Sequence, residues 1–132
     1  MQMSFNVNLN TMAIDMHKGD TGSFWVQMEL DDGEPFVEGD VAIFEVWQGQ
    51  TRKLHREYEL QPAEPDETTP GDGLFMIAFE NEDTDTWADT SYDTEIKVVL
   101  NPTRSNSDII TGSTVRTVVQ SKLNILHVFI NV

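Results

Sequence analysis

Three histidines, a cluster of acids and three tryptophans are the residues of this sequence with the most chemistry to offer. His17, His55 and His127 lie far apart, and none has a second histidine at i+2 or i+4. A zinc site needs three or four converging ligands, often with local spacing, so these positions assign no metal. His17 and His55 read as exposed strand or loop residues. Cysteine is absent, which excludes disulfides, thiolate metal sites and cysteine nucleophiles. Gly19-Asp20-Thr21-Gly22-Ser23 contains the Asp-Thr-Gly string of aspartic-protease sites. It also lies between two glycines directly ahead of an alternating segment, and a β-turn accounts for it better. No Gly-x-Ser-x-Gly, Walker A or Gly-x-Gly-x-x-Gly pattern occurs, so neither a nucleophile elbow nor a phosphate cradle is signalled. The sequence assigns no catalytic, cofactor-binding or metal-binding residue.

The acids Glu82, Asp83, Asp85, Asp89 and Asp93, with Asn81, fall in one short stretch. Calcium takes about six to eight oxygen ligands, but the spacing is not that of an EF-hand loop, and a capped helical turn with solvated acids explains it. Paired carboxylates for glycoside hydrolysis would also need a cleft, for which short loops leave little room. Trp25, Trp47 and Trp87 could form a sugar-stacking platform. Trp25 lies opposite the apolar side of its own segment, a placement that suits a protein interface, where tryptophan is enriched. Trp25 and Trp47 are the candidate interface residues.

The elements that would carry these residues follow a period of two. Phe24, Val26, Met28 and Leu30 alternate with Ser23, Trp25, Gln27 and Glu29, the pattern of a half-buried strand. Asp31-Asp32-Gly33-Glu34-Pro35 supplies turn chemistry. Val41 to Trp47 is apolar on both faces except at Glu45, which suits a central strand. Lys53 to Leu60 is more polar and reads as an edge strand blunted by its charges. Gln61 to Gly73 holds Pro62, Pro65 and Pro70 among acids and glycines, and is expected to be a solvated loop. Leu74 to Phe79 returns to strand. Asn81 is placed to cap one short helical turn, with acids at its positive end. Tyr92 to Leu100 alternates clearly. Asn101 to Ser107 reads as a turn. Val115 to Val119 and Leu123 to Ile130 are expected to form a closing hairpin turning at Ser121-Lys122. Regular spacing of seven or eight strands points to an all-β sandwich or barrel.

The chain has 132 residues, 39% hydrophobic and 9% aromatic, which suits one folded domain over 1–132. Lys and Arg number 8 against 23 Asp and Glu, a formal net charge of −15. Such a surface repels polyanions and anionic membranes, so neither nucleic acid nor membrane is an expected partner. No apolar run approaches the ~20 residues of a membrane helix, and the N-terminus lacks the basic and apolar regions of a signal peptide. Synthesis in a bacterial cytoplasm is the expectation.

The order of these segments carries a resemblance. Lys18-Gly19-Asp20-Thr21 precedes the first long strand, and Val41-Ala42-Ile43-Phe44-Glu45-Val46 follows. Phe75-Met76-Ile77-Ala78-Phe79 then leads through Glu82-Asp83-Thr84 to Tyr92-Asp93-Thr94-Glu95-Ile96-Lys97, and Thr114 to Leu126 ends the pattern. From about Ile14 to Leu126 this resembles the N-terminal domain of phage baseplate upper proteins and small prophage tail proteins of Gram-positive bacteria. The resemblance implies an immunoglobulin-like β-sandwich of seven to eight antiparallel strands, with one short helical turn near 81–87. It implies a non-enzymatic structural module of a tail baseplate, a virion component that associates with other tail proteins or with itself as a homo-oligomer. It brings no catalytic residue and no cofactor. The alternative class is a carbohydrate-binding or adhesin module, which would need its tryptophans exposed together on one face.

Overall fold

The computed structural model describes residues 6–7, 11–30, 33–100, 104–105, 108–109 and 114–126. His127, the Asp31-Asp32 start of the turn expected at 31–35, most of the turn expected at 101–107 and residues 127–130 of the expected closing strand lie outside the described residues. The elements are β1 (Asn6–Val7), β2 (Ile14–His17), β3 (Gly22–Gln27), β4 (Val41–Gln48), β5 (Thr51–Glu59), β6 (Leu74–Phe79), α1 (Asn81–Thr84), β7 (Ser91–Leu100), β8 (Arg104–Ser105), β9 (Asp108–Ile109) and β10 (Thr114–Leu126). The protein is all-β. A six-stranded sheet runs in the order β1-β2-β10-β7-β4-β5, β3 pairs with β6 in a second sheet, and β8 pairs with β9.

The alternation read from the sequence explains the core. Val26 on β3, Phe75, Ile77 and Phe79 on β6, Ala42, Phe44 and Val46 on β4, and Tyr92, Ile96 and Val98 on β7 all turn inward and are buried together. Phe44 meets Phe79 edge-on at 6.0 Å, and Tyr58 of β5 stacks on Phe75 at 5.0 Å. These ring pairs bridge the two sheets, and such pairs add to the burial of apolar area. β4 sits between β5 and β7 and buries both faces: Val41 and Ile43 point outward yet are covered, with Val99. β5 is the edge of the large sheet, as its charges suggest.

Two expectations are corrected. The strands are not all antiparallel, because β10 pairs with β2 in parallel from Leu123↔Ile14 to Leu126↔His17. Nor does the chain turn at Ser121-Lys122. β10 runs unbroken from Thr114 to Leu126, with Ser121 opposite Thr94 and Lys122 opposite Asp93 and an irregularity between Thr117 and Val119. Gln120 and Lys122 are exposed while Leu123 and Ile125 are buried, so two of the polar residues that suggest a turn sit on the exposed side of a strand, and half-buried Ser121, on the other side, donates its hydroxyl to the Thr11 carbonyl at 2.7 Å.

The short helical turn is α1, but its cap is Glu80, not Asn81. The Glu80 N–H donates to Asp83 Oδ2 at 2.7 Å. Asn81 instead reaches across the sandwich, its Nδ2 donating to the Gly19 carbonyl at 2.8 Å, while the Gly19 N–H donates to Thr84 Oγ1 at 2.9 Å. After α1, Trp87 is buried against Tyr92, with Lys53 Nζ 5.6 Å from the ring. The Tyr92 hydroxyl donates to the Ala88 carbonyl at 2.9 Å and ties the start of β7 to the corner before it.

The proline-rich loop is less solvated than its composition suggests. Pro62 and Thr69 are buried, and Ala63 to Thr68 are exposed. Asp66 Oδ1 accepts from the Thr68 and Thr69 amides, both at 2.8 Å, and from both hydroxyls at 3.0 Å. The Thr69 and Thr68 amides, helped by the hydroxyls, lower its pKa to about 2. Organised this way, the loop lies along β6: the Met76 N–H donates to the Thr68 carbonyl at 2.9 Å, and Leu74 to Gly71 at 3.1 Å.

Gly73 is where three elements meet. Its N–H donates to Leu60, just past β5, and its carbonyl accepts from Met28, just past β3, both at 2.9 Å. Its φ is +80°, and a Cβ would lie 2.3 Å from the Met28 carbonyl oxygen and 2.8 Å from Phe36 Cε2. A side chain here is strained in its backbone and overpacked at once. Gly73→Ala is expected to lower unfolding stability by about 2–4 kcal/mol, measured by urea denaturation; a loss near zero would show that the corner relaxes freely.

Candidate functional site

Two outer surfaces carry the residues singled out by sequence, and they lie on opposite sides of the sandwich. The outer face of the large sheet holds Trp47, Glu45 and the charged residues around them. The outer face of the small sheet holds Trp25. Trp87 is buried in the core between them, so the three tryptophans form no common platform.

Glu45 organises the first face. It is the one charged residue of β4, it projects outward, and it is only 5% exposed. Lys97 Nζ donates to Oε1 at 3.2 Å and Arg52 Nη1 to Oε2 at 3.2 Å, while His55 Nδ1 lies 2.8 Å from Oε2. His55 Nε2 is 3.2 Å from Glu57, and Lys97 also pairs with Glu95 at 3.0 Å. Burial by itself would raise the Glu45 pKa; the contacts of His55, Lys97 and Arg52 outweigh it and hold the group below 4.5. For Lys97, desolvation acts to lower its pKa, yet Glu95 and Glu45 leave it raised above 10.5. The signal for this network was in the sequence: a lone acid in an apolar strand faces the neighbour strand that carries Arg52 and His55.

Beside the network, an open cleft of about 670 Å³ lies between the β4–β5 turn, β7 and β10. Trp47, Gln50, Asp93, Glu95, Gln120 and Lys122 line it. Trp47 is half-buried, and its Nε1 is covered with no hydrogen-bond partner. Lys122 pairs with Asp93 across the β7–β10 ladder. The cleft offers an indole, carboxylates and amides, a set that can hold a small polar molecule by stacking and hydrogen bonds.

Trp25 stands on the second face, 51% exposed. Its strand partner is Met76, and Leu74 and Ala78 share that side of β6, all partly exposed. None of the residues of β3 or β6 is charged. In a chain with 23% charged residues, this is a neutral, partly apolar patch.

The other chemical candidates fall into structural roles. Asp20 belongs to a turn: its N–H donates to the His17 carbonyl at 3.1 Å and its Oδ2 accepts from the His17 N–H at 2.9 Å. His17 Nδ1 lies 3.8 Å from the same carboxylate. In the acidic stretch, Asp83 takes a charge-assisted bond from Arg56 Nη2 at 2.6 Å, and Asp89 pairs with Lys18 at 3.4 Å. Among the described residues no group of three or more His, Asp or Glu converges to hold a metal ion, and no helix is long and apolar enough to cross a membrane. Comparison with protein-family models, with curated proteins and with solved structures returned no match.

Because the Glu45 pKa is depressed in the fold, the stability it contributes is present above the ordinary carboxylate range and is lost as pH falls through the folded value. Glu45→Gln is expected to cost about 1–3 kcal/mol at neutral pH, less than for a fully buried pair because the cationic partners rehydrate. Parent and variant stabilities should converge as acid protonates the parent. Urea midpoints across the acidic range measure this; parallel curves would remove Glu45 from the acid response.

Proposed function

We propose that this chain is a non-enzymatic assembly module, of the kind that builds the tail baseplate of a phage or prophage. The observation that carries the assembly reading is the uncharged outer face of the small sheet, with Trp25 half-exposed on it. Soluble monomers seldom leave a large aromatic in a neutral patch without a use for it. The tail assignment rests on the sequence resemblance over Ile14 to Leu126. An immunoglobulin-like form of the sandwich is supported by strand order. β10, β7, β4 and β5 stand in the order of strands G, F, C and C′ of such a fold, and β3 pairs with β6 as B pairs with E. The bond from the Tyr92 hydroxyl to Ala88 matches the tyrosine corner at the start of strand F.

A second reading has its own observation. The cleft beside Trp47, with Asp93, Glu95 and Gln120 on its walls, has the composition of a sugar site, and a carbohydrate-binding module would use it. The separation of Trp25 from Trp47 and the burial of Trp87 leave this reading a single indole to stack on.

Gold-labelled antibody against the chain, applied to tail particles purified after prophage induction of the source bacterium, is expected to mark the tail tip. Particles that carry no label would overturn the baseplate assignment. A glycan array with Trp47→Ala as control tests the alternative: binding that the substitution abolishes would favour it.

A further inference from the structure

The sandwich treats its strand edges unequally. β5 guards its edge with Arg52, Lys53, His55, Arg56, Glu57 and Glu59, the usual defence against unwanted pairing. β6 is covered by the loop, whose Thr68 carbonyl takes the Met76 N–H. β3 has neither device. Its six residues, Gly22-Ser23-Phe24-Trp25-Val26-Gln27, include no charge and no proline, and among the described residues no strand or loop pairs with its outer edge.

The backbone groups on that edge can be named. Trp25 is paired with Met76, whose N–H points away from β3 toward Thr68. In an antiparallel ladder this makes Trp25–Met76 a non-hydrogen-bonded pair. The N–H and C=O of Trp25 therefore point outward, and by alternation so do those of Ser23 and Gln27. The opposite phase holds for the even residues, as the Met28 N–H donating to Gly73 shows.

From these observations we infer that the β3 edge pairs with the β3 edge of a second copy of this chain. The edge is self-complementary. With two copies antiparallel about a two-fold axis at Trp25, Trp25 faces Trp25 and Ser23 faces Gln27 twice. Every outward residue then falls in a hydrogen-bonded pair, giving roughly six inter-chain backbone bonds. The small sheet becomes a four-stranded sheet, β6-β3-β3-β6, which remedies the weakness of a two-stranded one. Charge selects this occupant. Each copy carries −15, so two copies can approach only through a surface without acids, and β3 with β6 provides one. A basic partner would instead be met by an acidic patch. The interface is isologous and closed, giving a dimer and not a filament. This inference deepens the assembly reading and rests on it for its biological use, but not for its geometry.

Light scattering after size exclusion, over rising protein concentration, should show a monomer–dimer equilibrium. Raising salt from about 0.05 to about 0.5 M should tighten it, because like-charge repulsion is screened. Trp25→Lys and Ser23→Lys, both at exposed positions, should give monomers with unchanged circular dichroism. Val37→Lys, at the other large exposed apolar side chain among the described residues, should leave the dimer intact. Amide exchange should show the Ser23, Trp25 and Gln27 amides protected in the dimer and open in Trp25→Lys. A monomer at every concentration and salt, a dimer that survives Trp25→Lys, a dimer that salt dissociates, or a Trp25 amide protected in the monomer would each overturn the inference. A monomer that still labels tail tips would leave the baseplate assignment standing, and a dimer absent from tails would do the reverse.

Discussion

A two-stranded sheet does not persist in water unless something else fixes it, and the architecture of this protein depends on how β3 and β6 are held to the large sheet. The apolar contact between the sheets supplies most of the free energy, but it does not by itself set position. Three polar clamps do. At one corner Gly73 joins the ends of β3, β5 and the start of β6 through backbone bonds to Met28 and Leu60. At another, Asn81 and Thr84 of α1 hold the Gly19 turn between β2 and β3. Between them Arg56 points inward from β5 and spans the sandwich, its guanidinium donating to the Ala78 carbonyl at 3.3 Å and to Asp83. Among the described residues, the corner at Gly73 is also the one place where consecutive residues have positive φ. Gly71, Asp72 and Gly73 all have positive φ, at 111°, 57° and 80°, and Asp72 lacks the freedom of glycine there. The Gln61 side chain accepts the Asp72 N–H, and Gln27 Nε2 donates to its carbonyl at 2.7 Å.

The strong negative charge is arranged so that it does not disturb the core. Each described Lys and Arg side chain faces a carboxylate or a ring. Lys18 meets Asp89, Arg52 and Lys97 meet Glu45, Arg56 meets Asp83, Lys122 meets Asp93, and Lys53 lies over Trp87. Exposed pairs such as Lys122–Asp93 add little stability. The pairs on Glu45 matter more, because that carboxylate has almost no access to water and needs its donors. With these cations engaged internally and a formal net charge of −15 on the chain, acids outweigh bases at the surface, which favours solubility and opposes binding to polyanions.

The fold was legible where local pattern decides it. The alternation of β3, β6 and β7, the two buried faces of β4 and the charged edge at β5 all follow from side-chain type at a period of two. The rest depends on partners far away in sequence. The parallel pairing of β2 with β10 joins residues more than one hundred positions apart, and nothing near Ile14 announces it. The continuity of β10 was hidden because Gln120-Ser121-Lys122 have turn-like composition; Gln120 and Lys122 lie on the exposed face of the strand, opposite Glu95 and Asp93, while Ser121 pairs with buried Thr94 on the other face. Arg56 sits at an inward position among Leu54, Tyr58 and Leu60, a break in pattern that explains itself only once Asp83 is seen across the sandwich. Of the candidate interface residues, Trp25 was readable as outward because it opposes its strand's apolar side, whereas Trp47 follows a register shift after Val46, which the sequence does not display.

What distinguishes the two outer faces is how each settles its own chemistry. The large sheet neutralises its charges within itself, around Glu45, and leaves a polar cleft at Trp47. The small sheet removes charge altogether and leaves an aromatic. A neutral, apolar surface on a chain this acidic carries a risk of unspecific aggregation, which exposed charged strands normally suppress. That risk is contained by geometry. The β6 edge is covered by the loop that Asp66 organises, so among the described residues only one edge of the small sheet is open, and it is only six residues long. The acids elsewhere on the surface oppose the approach of a like-charged copy, so the charge that favours dispersion also favours contact at the neutral strands.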